Sequence, residues 1–75
     1  MYMRNDKIHV GKRIKEIRLS RGLSQNALAN LVGYPRERVT AIEGKERLNI
    51  RTIQIIAKGL GVEPHELLKP IRRAA

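Results

Sequence analysis

Apolar residues recur along this chain at the three- and four-residue spacing of one face of an α-helix. Val10, Ile14 and Ile17 set up a first helix that runs through Ser20, and Gly22 follows it as a stop signal. Ser24 is a good N-cap for a second helix, Gln25 to Leu31, with Leu28 and Leu31 read as one face. Gly33-Tyr34-Pro35 reads as a tight turn. From Arg36 to Glu43 the only helically spaced large aliphatics are Val39 and Ile42, so this third helix has a narrow anchor and is otherwise polar. Such an element is held by its neighbours and displayed rather than stored in a core. A polar loop from Gly44 to Asn49 leads into the strongest amphipathic stretch, Ile50, Ile53, Ile56, Ala57 and Leu60, which Gly61 can end. Pro64 then opens a short fifth helix through His65, Glu66, Leu67 and Leu68.

The pattern predicts an all-α fold of five short helices in one domain over residues 9–69. A flexible, polar N-terminal arm is expected at 1–8 and a basic tail at 70–75. Seventy-five residues lie near the lower limit for a domain that folds without staples, where a chain buries only about 60% of its unfolded surface. With no cysteine there is neither a disulfide framework nor a thiolate zinc site. The core must therefore come from aliphatics, and dimerisation could add to it.

Charge changes the picture from fold to partner. Sixteen basic against seven acidic side chains give a formal charge of +9, which puts a positive potential over much of a small surface and suits a polyanion. Phe and Trp are absent and Tyr occurs only at positions 2 and 34, so stacking platforms for splayed single-stranded bases are scarce. Duplex recognition has no such need. No stretch approaches the length of a membrane span and the start has no signal-peptide pattern, so a cytoplasmic location without membrane association is expected. An enzyme fits poorly: His9 and His65 are far apart and read as plain surface residues, the carboxylates are scattered, and no phosphate-binding glycine loop or nucleophile motif is present. No cofactor, metal or small-molecule ligand is expected.

Leu23-Ser24-Gln25-Asn26-Ala27-Leu28-Ala29, then Val32-Gly33, then Val39 and Ile42-Glu43, resembles the helix-turn-helix of the lambda-repressor/Cro family, also called XRE. The likeness extends from about Val10 to Leu68. It includes the Ile-Lys-Glu-Ile-Arg of the first helix, Ile42-Glu43-Gly44-Lys45 after the third, and Ile56-Ala57-Lys58-Gly59-Leu60-Gly61-Val62 in the fourth. The resemblance implies a compact lambda-repressor-like domain that regulates transcription. Its third helix would enter the DNA major groove while the second crosses the backbone.

On that basis Arg36, Glu37, Thr40 and Ala41 are expected to read bases, and Arg38 to reach either bases or backbone. Arg suits guanine O6 and N7, Glu accepts from cytosine N4, and the Thr and Ala methyls touch a thymine methyl. Gln25 and Asn26, at the start of the second helix, and Lys45, Arg47, Lys12 and Arg13 are expected phosphate contacts. By position, Gln25 matches a family residue that also braces the recognition helix. Arg18 and Glu43 match a structural ion pair of the family.

Three features depart from the family pattern. Pro35 stands where a Ser, Thr or Asp usually caps the third helix, the Glu43–Ile50 loop is about one residue shorter, and Ile55 replaces a common charged residue. With Leu67, Leu68 and Ile71, Ile55 is expected to form a homodimer seam. A homodimer on a palindromic operator with autoregulation is the expected mode of action. Short members of this kind include restriction-modification controllers, Cro/C1-type phage repressors and antitoxins, and Ile55-Ile56 with Lys58-Gly59-Leu60 looks most like the controllers. An adaptor or antitoxin partner that uses the same fold for protein contacts is the alternative.

Overall fold

A computed structural model describes residues 8–70 of the protein. Most of the expected arm, most of the basic tail and Ile71 therefore lie outside the described residues. The elements in order are α1 (Val10–Ser20), α2 (Gln25–Val32), α3 (Arg36–Glu43), α4 (Ile50–Leu60) and a closing 3₁₀ turn, Pro64–Leu68. The described residues contain no strand.

The caps explain where the helices start. Ser24 Oγ accepts the Ala27 N–H at 3.0 Å and Asn49 Oδ1 accepts the Thr52 N–H at 2.8 Å, each satisfying a donor that the first helical turn leaves open. At α1 the same role falls to His9, whose Nδ1 accepts the Lys12 N–H at 3.0 Å. His9 is therefore a cap rather than the plain surface residue that the sequence suggests. Pro35 precedes α3 with no side-chain cap.

Each element contributes at least one fully buried large aliphatic to a single core: Ile14, Leu28, Val39, Ile56 and Leu67. Burying a side chain of this size is worth about 1.5–3 kcal/mol, so every element is anchored by at least one contact that it cannot lose cheaply. Two expectations are corrected here. The fifth element is a 3₁₀ turn and not an α-helix; it has five residues and opens with an i to i+3 bond, from the Glu66 N–H to the Glu63 carbonyl at 2.9 Å. Pro70, which has no N–H to donate, stands just beyond it. Leu67 belongs to the core, with no exposed surface, and is not available to a dimer seam.

Leu31 departs from its expected place in the opposite sense. Leu28, Ala29 and the partly buried Val32 form the inner face of α2, and Leu31 lies roughly 100° from the centre of that face at about 100° per residue. It is 58% exposed.

Arg13 is a further correction. Its Nε donates to the Glu66 carbonyl at 2.9 Å, and its Nη atoms reach Glu16 Oε1 at 3.0 Å and Glu66 Oε1 at 3.5 Å. Three of the five guanidinium N–H groups are thereby committed to tying α1 to the 3₁₀ turn rather than held open for a DNA phosphate. The Lys69 ammonium, hydrogen-bonded to Glu66, holds that carboxyl below the usual carboxylate range; the charges of His65 and Arg13 add to this, while partial desolvation opposes it.

Candidate nucleic-acid interface

The turn between α2 and α3 is made by Gly33, whose φ of 78° lies in the left-handed region that other residues enter only with strain. The N–H groups of Gly33 and Tyr34 both donate to the Ala29 carbonyl, at 2.8 and 3.0 Å, which closes the end of α2 and turns the chain directly into α3. Along α3 only Val39, Ile42 and Glu43 are buried. Arg36, Glu37, Arg38, Thr40 and Ala41 are all exposed, and at about 100° per residue they fall into an order. Glu37 and Ala41 form the outermost strip. Arg36 and Thr40 lie along the edge near α2, and Arg38 along the edge near the α3–α4 loop.

The edge near α2 is braced. Gln25 Nε2 donates to Glu43 Oε1 at 3.2 Å, and the Thr40 hydroxyl lies 3.0 Å from Gln25 Oε1 and 3.2 Å from the Arg36 carbonyl. The single Thr40 hydroxyl hydrogen is thus engaged within the protein, and what Thr40 offers outward is its methyl group and oxygen lone pairs. Behind this edge Arg18 grips Glu43 by two bonds, Nε to Oε2 at 2.6 Å and Nη2 to Oε1 at 3.1 Å, and Arg18 Nη1 donates to the Leu23 carbonyl at 2.7 Å. Both side chains are nearly excluded from solvent, at 6% and 5% exposure. One bidentate pair therefore fixes α1, the start of α2 and the end of α3 together.

The loop after α3 is fixed from α1. The Val10 and Gly11 N–H groups donate to the carbonyls of Glu46 and Lys45 at 3.0 and 2.9 Å. This approach requires a residue without a side chain at position 11, because a Cβ there would lie 2.5 Å from the Ile42 and Glu43 carbonyl oxygens. The result is that Lys45 and Arg47, both exposed, project from a loop whose backbone is tied down. With Arg38, Leu48 and Asn49 they line a concavity of about 240 Å³ at the start of α4.

Several expected contacts thus share one side of the molecule through α2, α3 and the loop: Gln25, Arg36, Glu37, Thr40, Ala41, Arg38, Lys45 and Arg47. Arg13 is turned to other work. Sequence reasoning gave no role to Tyr34 beyond the turn, yet the Arg38 guanidinium carbon sits 4.1 Å from the centre of its ring. The four-residue spacing of an aromatic and an arginine was the available signal. No group of three or more metal-ligating side chains occurs among the described residues.

A helix-turn-helix family model matches residues 14–67. The chain belongs to the helix-turn-helix family. This helix-turn-helix is similar to several solved structures. The restriction-modification controller protein C.AhdI from Aeromonas hydrophila is 38% identical, with 80% of this chain and 92% of that one covered at a TM-score of 0.72. The hypothetical transcription factor NHTF from Neisseria is 31% identical over 85% and 75% of the two chains, with a TM-score of 0.76. SinR, the master regulator for biofilm formation, solved in complex with DNA, is 29% identical over 80% and 98%, with a TM-score of 0.71. No curated protein matches. The helix-turn-helix is that of an XRE-like DNA-binding transcription regulator, and among its described residues no helix is long and apolar enough to cross a membrane.

Proposed function

We propose that this regulator binds duplex DNA in a sequence-specific way by laying the first turns of α3 in the major groove. The observation that carries the reading is the form of α3: a helix pinned from behind by Val39, Ile42 and Glu43, with every other side chain turned outward. Arg36 is the principal base reader, because it is exposed and its guanidinium has no partner among the described residues, which leaves its fork free for guanine O6 and N7. Glu37 and Ala41 face the bases beside it, and Thr40 contributes its methyl group. Gln25 retains one amide hydrogen after bonding Glu43, so it can brace α3 and contact a phosphate at once. Asn26, Lys12, Lys45 and Arg47 complete the phosphate set, which fixes register and not sequence.

Arg36→Ala is expected to cost about 1–3 kcal/mol on the preferred duplex and to relax the preference at one base pair. Binding measured against a panel of single-base-pair substitutions checks this. Equal weakening on every member of the panel would make Arg36 a phosphate contact instead.

A two-fold dimer on a palindromic operator is the arrangement that lets a helix-turn-helix of this size occupy two half-sites about one DNA turn apart. Ile55, half-buried on α4, and the exposed Leu31 line a shallow apolar concavity with Val32, Lys58 and Gly59. We assign the seam to this patch, with the exposed Leu68 as a further candidate. Sedimentation of Ile55→Glu should show a monomer at concentrations where the parent chain is a dimer. A variant as dimeric as its parent would remove Ile55 from the seam.

A further inference from the structure

We infer that Tyr34 is a positioning residue for DNA binding, holding Arg38 as a fixed phosphate clamp on the loop side of α3; the inference rests on the DNA reading above. Tyr34 occupies the turn before α3. Its N–H is bonded to the Ala29 carbonyl, and its ring packs partly against the core, so it does not swing freely. The Arg38 guanidinium lies over that ring with its carbon 4.1 Å from the ring centre. A guanidinium presents its donors in its own plane, so stacking on one face restrains the group without using its N–H bonds. Arg38 is thereby held ready while its fork stays open.

Its place on the helix decides what the fork meets. Arg38 lies roughly 200° around α3 from Arg36, at about 100° per residue, on the edge away from α2. There it borders the same concavity as Lys45 and Arg47. Three cations converge on that edge, and no carboxylate lines the concavity with them. This is the arrangement for one stretch of phosphate backbone at the wall of the groove. Arg36, on the opposite edge and unstacked, keeps the freedom to follow a base. The two arginines of the Arg36-Glu37-Arg38 run therefore divide the labour: Arg36 reads a base and Arg38 fixes the backbone.

The test is a double-mutant cycle on duplex affinity in the full chain, with Tyr34→Leu to remove the ring face, Tyr34→Phe to keep it, and Arg38→Ala. Thermal unfolding of each variant separates loss of fold from loss of binding. Arg38→Ala is expected to weaken preferred and scrambled duplexes by the same factor and to reduce the salt slope by about one. Tyr34→Leu should weaken binding about two- to five-fold in the parent, as an exposed stack of this kind implies, and have no further effect once Arg38 is gone. Tyr34→Phe should bind as the parent does. An equal Tyr34→Leu loss with and without Arg38 would overturn the inference, as would no Tyr34→Leu loss in the parent. So would an Arg38→Ala effect confined to one base pair. Failure of the parent itself to bind any duplex would instead remove the DNA reading, and the inference with it.

Discussion

Replacing Arg18 with alanine is expected to cost about 3–5 kcal/mol of folding stability. The cost is large because of what stays behind. Glu43 would keep its carboxylate in a site that is 5% exposed, with the Gln25 amide at 3.2 Å as the one remaining side-chain donor to it among the described residues. The Leu23 carbonyl would also lose its partner at 2.7 Å. A domain of this length is stable by roughly 4–11 kcal/mol, at about 0.05–0.15 kcal/mol per residue, so the variant would sit close to the folding threshold. Denaturant unfolding of Arg18→Ala measures the loss directly. Replacing Arg18 and Glu43 together by apolar residues should be far milder, since no buried charge is then stranded. A single-variant loss near zero would mean that water reaches the pair. The same pair places Gln25 and, through it, Thr40, so its loss should also weaken DNA binding in molecules that remain folded.

The sequence makes the four α-helices legible because each carries its own signal: a helically spaced apolar face, with Ser24 as a cap before α2 and glycine stops at Gly22, Gly33 and Gly61. It also makes the turn at Gly33 and the exposed character of α3 legible, since an element with two large aliphatics cannot be buried all round. What sequence leaves hidden depends on contacts between distant positions. Arg13 reads as a free cation until Glu66 arrives from 53 positions away. Leu67 and Leu68 are equal as letters, and only the packing of the last turn sends the first into the core and leaves the second 41% exposed. Leu31 reads as sharing a face with Leu28 because it is three residues away, although the inner face of α2 is centred between Leu28, Ala29 and Val32 and leaves Leu31 to one side. The closing segment reads as an α-helix from a proline and two leucines, but the five residues from Pro64 to Leu68 have room for little more than a 3₁₀ turn.

Within α3 the residue types were readable and their division of labour was not. Sequence leaves Arg38 between base and backbone. The stack on Tyr34 and the shared concavity with Lys45 and Arg47 are what support the proposed backbone role. The inward bonds of the Thr40 hydroxyl, to Gln25 and the Arg36 carbonyl, are likewise seen only in the folded chain.

The central claim is that a strongly basic helix-turn-helix presents α3 to the bases of duplex DNA, and its most direct test is affinity as a function of salt for two duplexes. One is recovered by selection from random duplexes and the other is its scrambled counterpart. Neutralising something like 6–10 phosphates should lower affinity by about 10³–10⁵ between roughly 50 and 200 mM salt. Throughout that range the selected duplex should bind at least about 10³ times more tightly than the scrambled one. A flat salt response, or a selection that enriches no sequence and leaves the two duplexes equal, would contradict the account and favour a protein-contact role for the same fold.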